Sequence, residues 1–200
     1  MYDTVEQLAD ALMRHGRPLR WFEPGREVVV RDKMQSYTYV LTARPGRDFP
    51  PEFAPELTPQ QMLELGVFEG KYLNDCVAEL PAEWYAAALG RGKLSPAGAD
   101  PSVNLFRVKS RKSLAYWREK GWIPIAPGDR DVRGWFQWYC RYWLGRRQPA
   151  VDAAQIRRWR AFVRHRAQLL KNSTPAQRRD PLHRRVQRQA LLQWAYHPMP

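Results

Sequence analysis

Apolar positions recur along this chain mostly at helical spacing, with one short region of strand-like alternation. Val5, Leu8, Leu12 and Met13 line one side of Thr4 to His15, and Gly16 ends the pattern, which predicts a first helix. "EVVVRD" and "SYTYVLTA" are β-branched and aromatic and are joined by a short polar turn. They predict a hairpin that needs a surface to pack on. Five prolines between Arg44 and Pro59 predict an extended connection. Thr58 as cap with Pro59 at the first helical position predicts a helix to Leu65, stopped by Gly66. Further helical stretches are expected over about Lys71 to Glu79 and from Pro81 to Gly90, followed by a Gly/Pro/Ser loop over Arg91 to Asn104.

The second half is helical and basic. Ser113 is placed to cap "LAYWREK", and Asp131 to cap a helix through "RGWFQWYCRYWLGRR". Asp152 with Gln155 fits a capping box for a long helix to about Leu170. Asp180-Pro181 is expected to open a last helix to about Tyr196. The predicted class is mainly α (α+β): a helical, bundle-like domain with a small N-terminal β-hairpin. Residues 1–56 read as an appendage of helix plus hairpin, and 57–200 as the main helical domain with a basic C-terminal half.

On a helical wheel, the rings of residues 133–147, with Cys140 and Leu144, cover most of the circumference. A helix apolar nearly all round is usually buried, so these rings read as core and not as a base-stacking platform. The remaining stripe is Gln137, Arg141 and Gly145. Arg141 on such a helix must reach solvent, a carboxylate or an anionic ligand. Arg146 and Arg147 suit the helix C-terminus, with phosphate contacts left open. In the next helix Ile156, Trp159, Phe162, Val163, Leu169 and Leu170 share one arc, opposite Arg157, Arg160 and Arg164. Arg166 falls inside the apolar arc and is expected to snorkel to the edge, or otherwise to be paired inside the fold or to touch a ligand.

Charge changes the picture. From Arg107 to Pro200 there are 22 Lys and Arg against 5 Asp and Glu, whereas the first 106 residues hold 11 against 15; together they give +13. Arginine supplies 18 of those 22 cations, and its planar fork suits phosphate and ring faces alike. The surplus points to a polyanionic partner, nucleic acid, either DNA or RNA. The candidate contacts are Lys109, Arg111, Arg141, Arg146, Arg147, Arg157, Arg160, Arg164, Arg184 and Arg188. No zinc-finger spacing, homeodomain signature or RNP pattern is present, so base readout is not visible.

The acidic half offers one site-like piece, "GVFEGKYLNDC". Two glycines permit an unusual backbone path around Phe68 and Glu69. Lys71 and Asp75 are four apart, which reads as an i, i+4 salt bridge or, alternatively, as an activated lysine beside a carboxylate. Glu69, Lys71 and Asp75 are therefore the candidate catalytic residues of an enzyme acting on nucleic acid or nucleotides. A third reading is a basic assembly protein that docks an acidic protein. Cys76, Cys140, His165 and His183 lack paired metal-ligand spacing, and no phosphate-binding glycine loop occurs, so no metal or cofactor is expected. Two distant cysteines predict reduced thiols and a cytoplasmic setting. No apolar run approaches the roughly 18 residues of a membrane span, and the N-terminus lacks the pattern of a signal peptide.

"GVFEGKYLNDC" together with "KSRKSLAYWREKGWI", "RGWFQWYCRYWLGRR" and "QRQALLQWAYHP" resembles a family of small basic proteins over about Leu57 to His197. The resemblance implies that Met1 to Pro55 is a variable addition. It carries no activity, cofactor or site residue.

Overall fold

The computed structural model describes residues 2–123 and 130–199. The fold is mainly helical with one two-stranded antiparallel hairpin. In chain order the elements are α1 (Val5–His15), β1 (Glu27–Arg31), β2 (Ser36–Val40), α2 (Pro59–Leu65), α3 (Ala82–Gly90), α4 (Leu114–Glu119), α5 (Trp135–Leu144), α6 (Pro149–Lys171), α7 (Pro175–Arg179) and α8 (Arg185–Leu192). Local chemistry sets several starts. Thr4 and Ser113 accept from Gln7 and Tyr116 backbone N–H groups, and Thr58 forms a reciprocal capping box with Gln61.

The hairpin register pairs Val28 with Tyr39 and Val30 with Tyr37. Alternation buries Val28, Val30 and Tyr39 and leaves Val29 and Val40 outside. Asp32 shapes the turn: its Oδ1 accepts from the Met34 and Gln35 backbone N–H groups at 2.6 and 2.9 Å.

Helix α5 is the hub of the core. All its residues from Trp135 to Leu144 are buried except Trp143, which is partly covered. Phe53, from the proline-rich connection, meets Trp138, Tyr139, Tyr142 and Trp159 edge-on at 5.0–5.8 Å between centroids. The end of α5 is joined to the hairpin. The Gly145 carbonyl accepts from the Thr42 and Ala43 N–H groups at 2.9 and 3.1 Å. Gly145 has φ 112°, and a Cβ there would sit 1.9 Å from the Ala43 carbonyl oxygen. Only glycine permits both the turn and this approach.

No break in packing falls at residue 56. Leu8, Val28, Leu41 and Phe53 belong to the same buried cluster as Trp138, Leu169 and Leu191. Glu56 also holds the C-terminal segment, pairing with Arg166 and accepting from the His197 N–H at 2.6 Å. Arg166 is thus paired.

Three sequence expectations need correction. Residues 71–79 are a series of turns and not a helix, because Asn74 turns its amide to the Gly70 carbonyl at 3.0 Å and Asp75 is drawn towards Arg133. Asp131 and Asp152 do not cap α5 and α6: Gly134 and Gln148 hold the cap positions, while both carboxylates are drawn inward. The helix expected from Asp180 to about Tyr196 is shorter: residues 181–184 are turn, and only α8, Arg185–Leu192, is helical, entered through Arg184 at φ 55°.

Gly145→Ala is expected to lower stability by more than about 1–2 kcal/mol, the cost of a left-handed non-glycine residue before any clash. Gly90→Ala, with open space around it, is the control. Urea midpoints measure both, and equal midpoints would show that the Gly145–Ala43 approach is not tight.

Candidate polyanion-binding cleft

The arginines divide into those the fold consumes and those it leaves outside. Arg141 is fully buried on α5. Its Nε and Nη2 meet the two Glu79 oxygens at 2.5 and 3.1 Å, and its Nη1 meets Asp131 Oδ1 at 3.0 Å. Arg146 Nη2 takes the other Asp131 oxygen at 2.6 Å. Two cations and two carboxylates thus neutralise one another inside the protein. Burial pulls Arg141 down, but Glu79 and Asp131 outweigh it and hold the guanidinium above its ordinary range. Arg188 is also buried and donates to the carbonyls of His183, Pro198, Gln177 and Arg178 at 2.8–3.0 Å. Arg147 lies over the Tyr142 ring at 4.0 Å and donates to the Tyr142 and Arg47 carbonyls. Arg141, Arg146 and Arg188 are therefore internal and not phosphate contacts, and Arg147 is largely spent on closing the end of α5.

The catalytic trio is not assembled. Glu69 is buried at φ 56° and binds Arg111 Nε and Nη2 through one oxygen, both at 2.6 Å. Lys71 Nζ donates to the Ala97 carbonyl at 3.0 Å. Asp75 instead accepts from Arg133 Nη2 at 2.7 Å and from the Lys33 N–H at 3.2 Å. Without helix over 71–79 the i, i+4 pairing is lost, so neither the salt bridge nor the activated-lysine arrangement forms. The glycines do serve the path: a Cβ on Gly70 would lie 2.7 Å from the Ser95 nitrogen and 2.8 Å from the Lys93 carbonyl oxygen.

Asp32, Cys76 and Glu79 bring ligand-type atoms within 4.8 Å of one another. Their other partners account for them. Asp32 is 3.3 Å from Arg133, and Glu79 holds Arg141. Burial, with Glu79 next, pushes the Cys76 thiol up, away from the thiolate a metal needs.

The surface feature that remains is a cleft between the segment 109–122 and helices α6 and α8. Its open part has a volume of about 760 Å³. Lys109, Lys112, Arg157, Arg158, Arg164 and His165 line it, along with Trp117, Trp122, Phe162 and Trp194. A narrower pocket of about 120 Å³ adjoins it, sharing Arg111, Lys112, Trp117, Trp122, Arg158 and Trp194 and adding Phe68, Tyr72, Trp135 and Phe136. Among the described residues neither lining contains an Asp or Glu.

Each wall is built by its own element. On one side α4 is followed by Gly121, whose φ of 67° folds Trp122 back so that its backbone N–H donates to the Trp117 carbonyl at 2.9 Å. The two indoles lie 5.1 Å apart at 33°, and Trp122 is 46% exposed. On the other side Trp194 stacks between Phe162 (4.7 Å, 9°) and Trp135 (5.0 Å, 26°), and Phe162 stacks on His165 at 4.0 Å. Arg158 ties the walls together, its Nη1 donating to the Trp122 carbonyl at 2.7 Å. Burial and the neighbouring Arg157 both pull Arg158 down, as expected for a cation short of counter-charge.

The chain matches no protein-family model, no curated protein and no solved structure. The cleft is therefore read on its own geometry.

Of the ten expected contacts, Lys109, Arg111, Arg157 and Arg164 line the cleft. Arg184 borders a shallow groove beside it that also includes Ser110 and His165, and Arg160 is exposed on α6 outside it. Trp117, Trp122, Lys112 and Arg158 were missed. The signal for them is present in "KSLAYWREKGW", where rings and cations alternate in a short segment with little apolar companionship.

Arg141→Met should cost about 3–5 kcal/mol, because it strands Glu79 and Asp131 as buried unpaired charges. Replacing exposed Arg160 by methionine should change stability by less than about 0.5 kcal/mol. Denaturant unfolding of both variants measures this, and equal values would show that Arg141 is not internal.

Proposed function

We propose that this protein binds nucleic acid, with the cleft between segment 109–122 and helices α6 and α8 as its contact surface. One observation supports this most: unpaired cations and accessible rings line the same concave surface, and no carboxylate shares its described lining. Lys109, Lys112, Arg157 and Arg164 make no ion pair among the described residues. Phosphates would supply the missing counter-charge, and bases would supply faces for the indoles. A cytoplasmic setting belongs to the same reading. Cys76 and Cys140 are both free and buried, and free cysteines suit a compartment where thiols stay reduced. No helix among the described residues is long and apolar enough to cross a membrane.

The test is affinity for DNA and RNA oligonucleotides as a function of salt. Four cleft cations on four phosphates of a single strand give a slope of log K against log salt of about −3, from about −0.7 per phosphate. Arg157→Ala and Arg164→Ala should each reduce the steepness by about 0.7. No retention on either nucleic acid at low salt, or unchanged slopes in both variants, would contradict the reading.

A further inference from the structure

The cleft carries more ring surface than phosphate binding alone requires. Polyanion binding needs only outward cations, yet here the indoles of Trp117, Trp122 and Trp194 lie at the mouth of a recess that continues inward to Phe68, Trp135 and Phe136. A duplex presents phosphates outward and keeps its base faces stacked inside, so it has nothing to place in such a recess. A single strand does: every unpaired base has a free π-face, and its two flanking phosphates lie on either side.

We propose that the narrow pocket takes one unstacked base of a single-stranded nucleic acid, while Lys112, Arg157 and Arg158 at its mouth meet the flanking phosphates. This inference rests on the nucleic-acid reading above and adds the strand class and the mode of contact.

Three features argue for it. The Trp117–Trp122 pair is tilted and half open, whereas the rings of α5 are closed into the core. The half-exposed Trp122 indole, backed by the partly covered Trp117, offers apolar surface that an occupant would remove from water. The opposite ring, Trp194, is held between Phe162 and Trp135, so it forms a rigid wall that loses little freedom on binding and leaves the open Trp122 indole as the face for a base. Finally, Glu69 fixes Arg111 at the pocket wall while contributing no charge to the described lining. The left-handed backbone at Phe68 (φ 51°) and Glu69 (φ 56°) carries the Phe68 ring to the pocket and the Glu69 carboxylate to the interior. That path gives the "VFEG" segment a role in positioning.

The experiment measures binding of the full chain to four labelled probes of one length and sequence: a single strand, the matching duplex, an abasic single strand with the same phosphates, and a mononucleotide. The single strand should bind at least tenfold more tightly than the duplex or the abasic strand, and the mononucleotide weakly. Trp122→Ala, at a half-exposed position that leaves the core intact, should weaken single-strand binding about 5- to 100-fold and leave duplex binding unchanged. If base-bearing, abasic and duplex probes bind equally and Trp122→Ala changes nothing, the cleft holds phosphate only: the nucleic-acid reading survives and the base pocket falls. If the mononucleotide binds as tightly as the strand, the site is for a free nucleotide and the strand assignment falls. If no probe binds at low salt, the nucleic-acid reading falls and the inference with it.

Discussion

Four separate parts of the chain meet at the buried cation Arg141. It projects from α5, is gripped by Glu79 ahead of α3 and by Asp131 ahead of α5, and lies against the Tyr37 ring of the hairpin. Placing a guanidinium where no water reaches it is unfavourable unless its donors are filled. Bidentate contact with Glu79 and the shared Asp131 fill them, and Arg146 uses the remaining Asp131 oxygen. The geometry is directional, so it fixes the rotation of α5 and the seat of the hairpin at once. The aromatic core then supplies most of the apolar burial around that fixed point.

Consuming these arginines inside has a consequence outside. Five acids are drawn onto arginines of the second half: Glu79 and Asp131 onto Arg141 and Arg146, Asp32 and Asp75 onto Arg133, Glu69 onto Arg111. None of these five carboxylates is free to neutralise α6 or the segment before α4. The cleft between them stays cationic because no Asp or Glu lies in its described lining, while other aromatics close the centre of the fold.

Much of the fold was legible because it depends on local rules. The capping residues Thr58 and Ser113, the alternation of the hairpin and the all-round apolarity of α5 each act within a few residues. That Arg141 must reach solvent, a carboxylate or an anionic ligand was also readable, since an apolar helix leaves a cation no cheap alternative; that it takes a carboxylate was not. The identity of that partner was not, because Glu79 lies 62 residues away and nothing local marks it. The same limit explains the turns at 71–79, where Asp75 follows a distant Arg133 and not its neighbour Lys71. The basic character of the cleft was visible in the charge count. Its shape was not: Phe162 and Trp194 sit on stripes that read as core, and only the packing of the 109–122 segment against them turns those stripes into a wall.

The division between inward and outward arginines and rings is tested most directly by cross-linking. The full chain would be irradiated with a 4-thiouridine oligonucleotide and the attached peptides mapped by mass spectrometry. Cross-links are expected on residues 109–122 and on the Phe162 and Trp194 wall. Cross-links concentrated on residues 133–147 would mean that the aromatic block is itself the binding surface, and would contradict its place in the core.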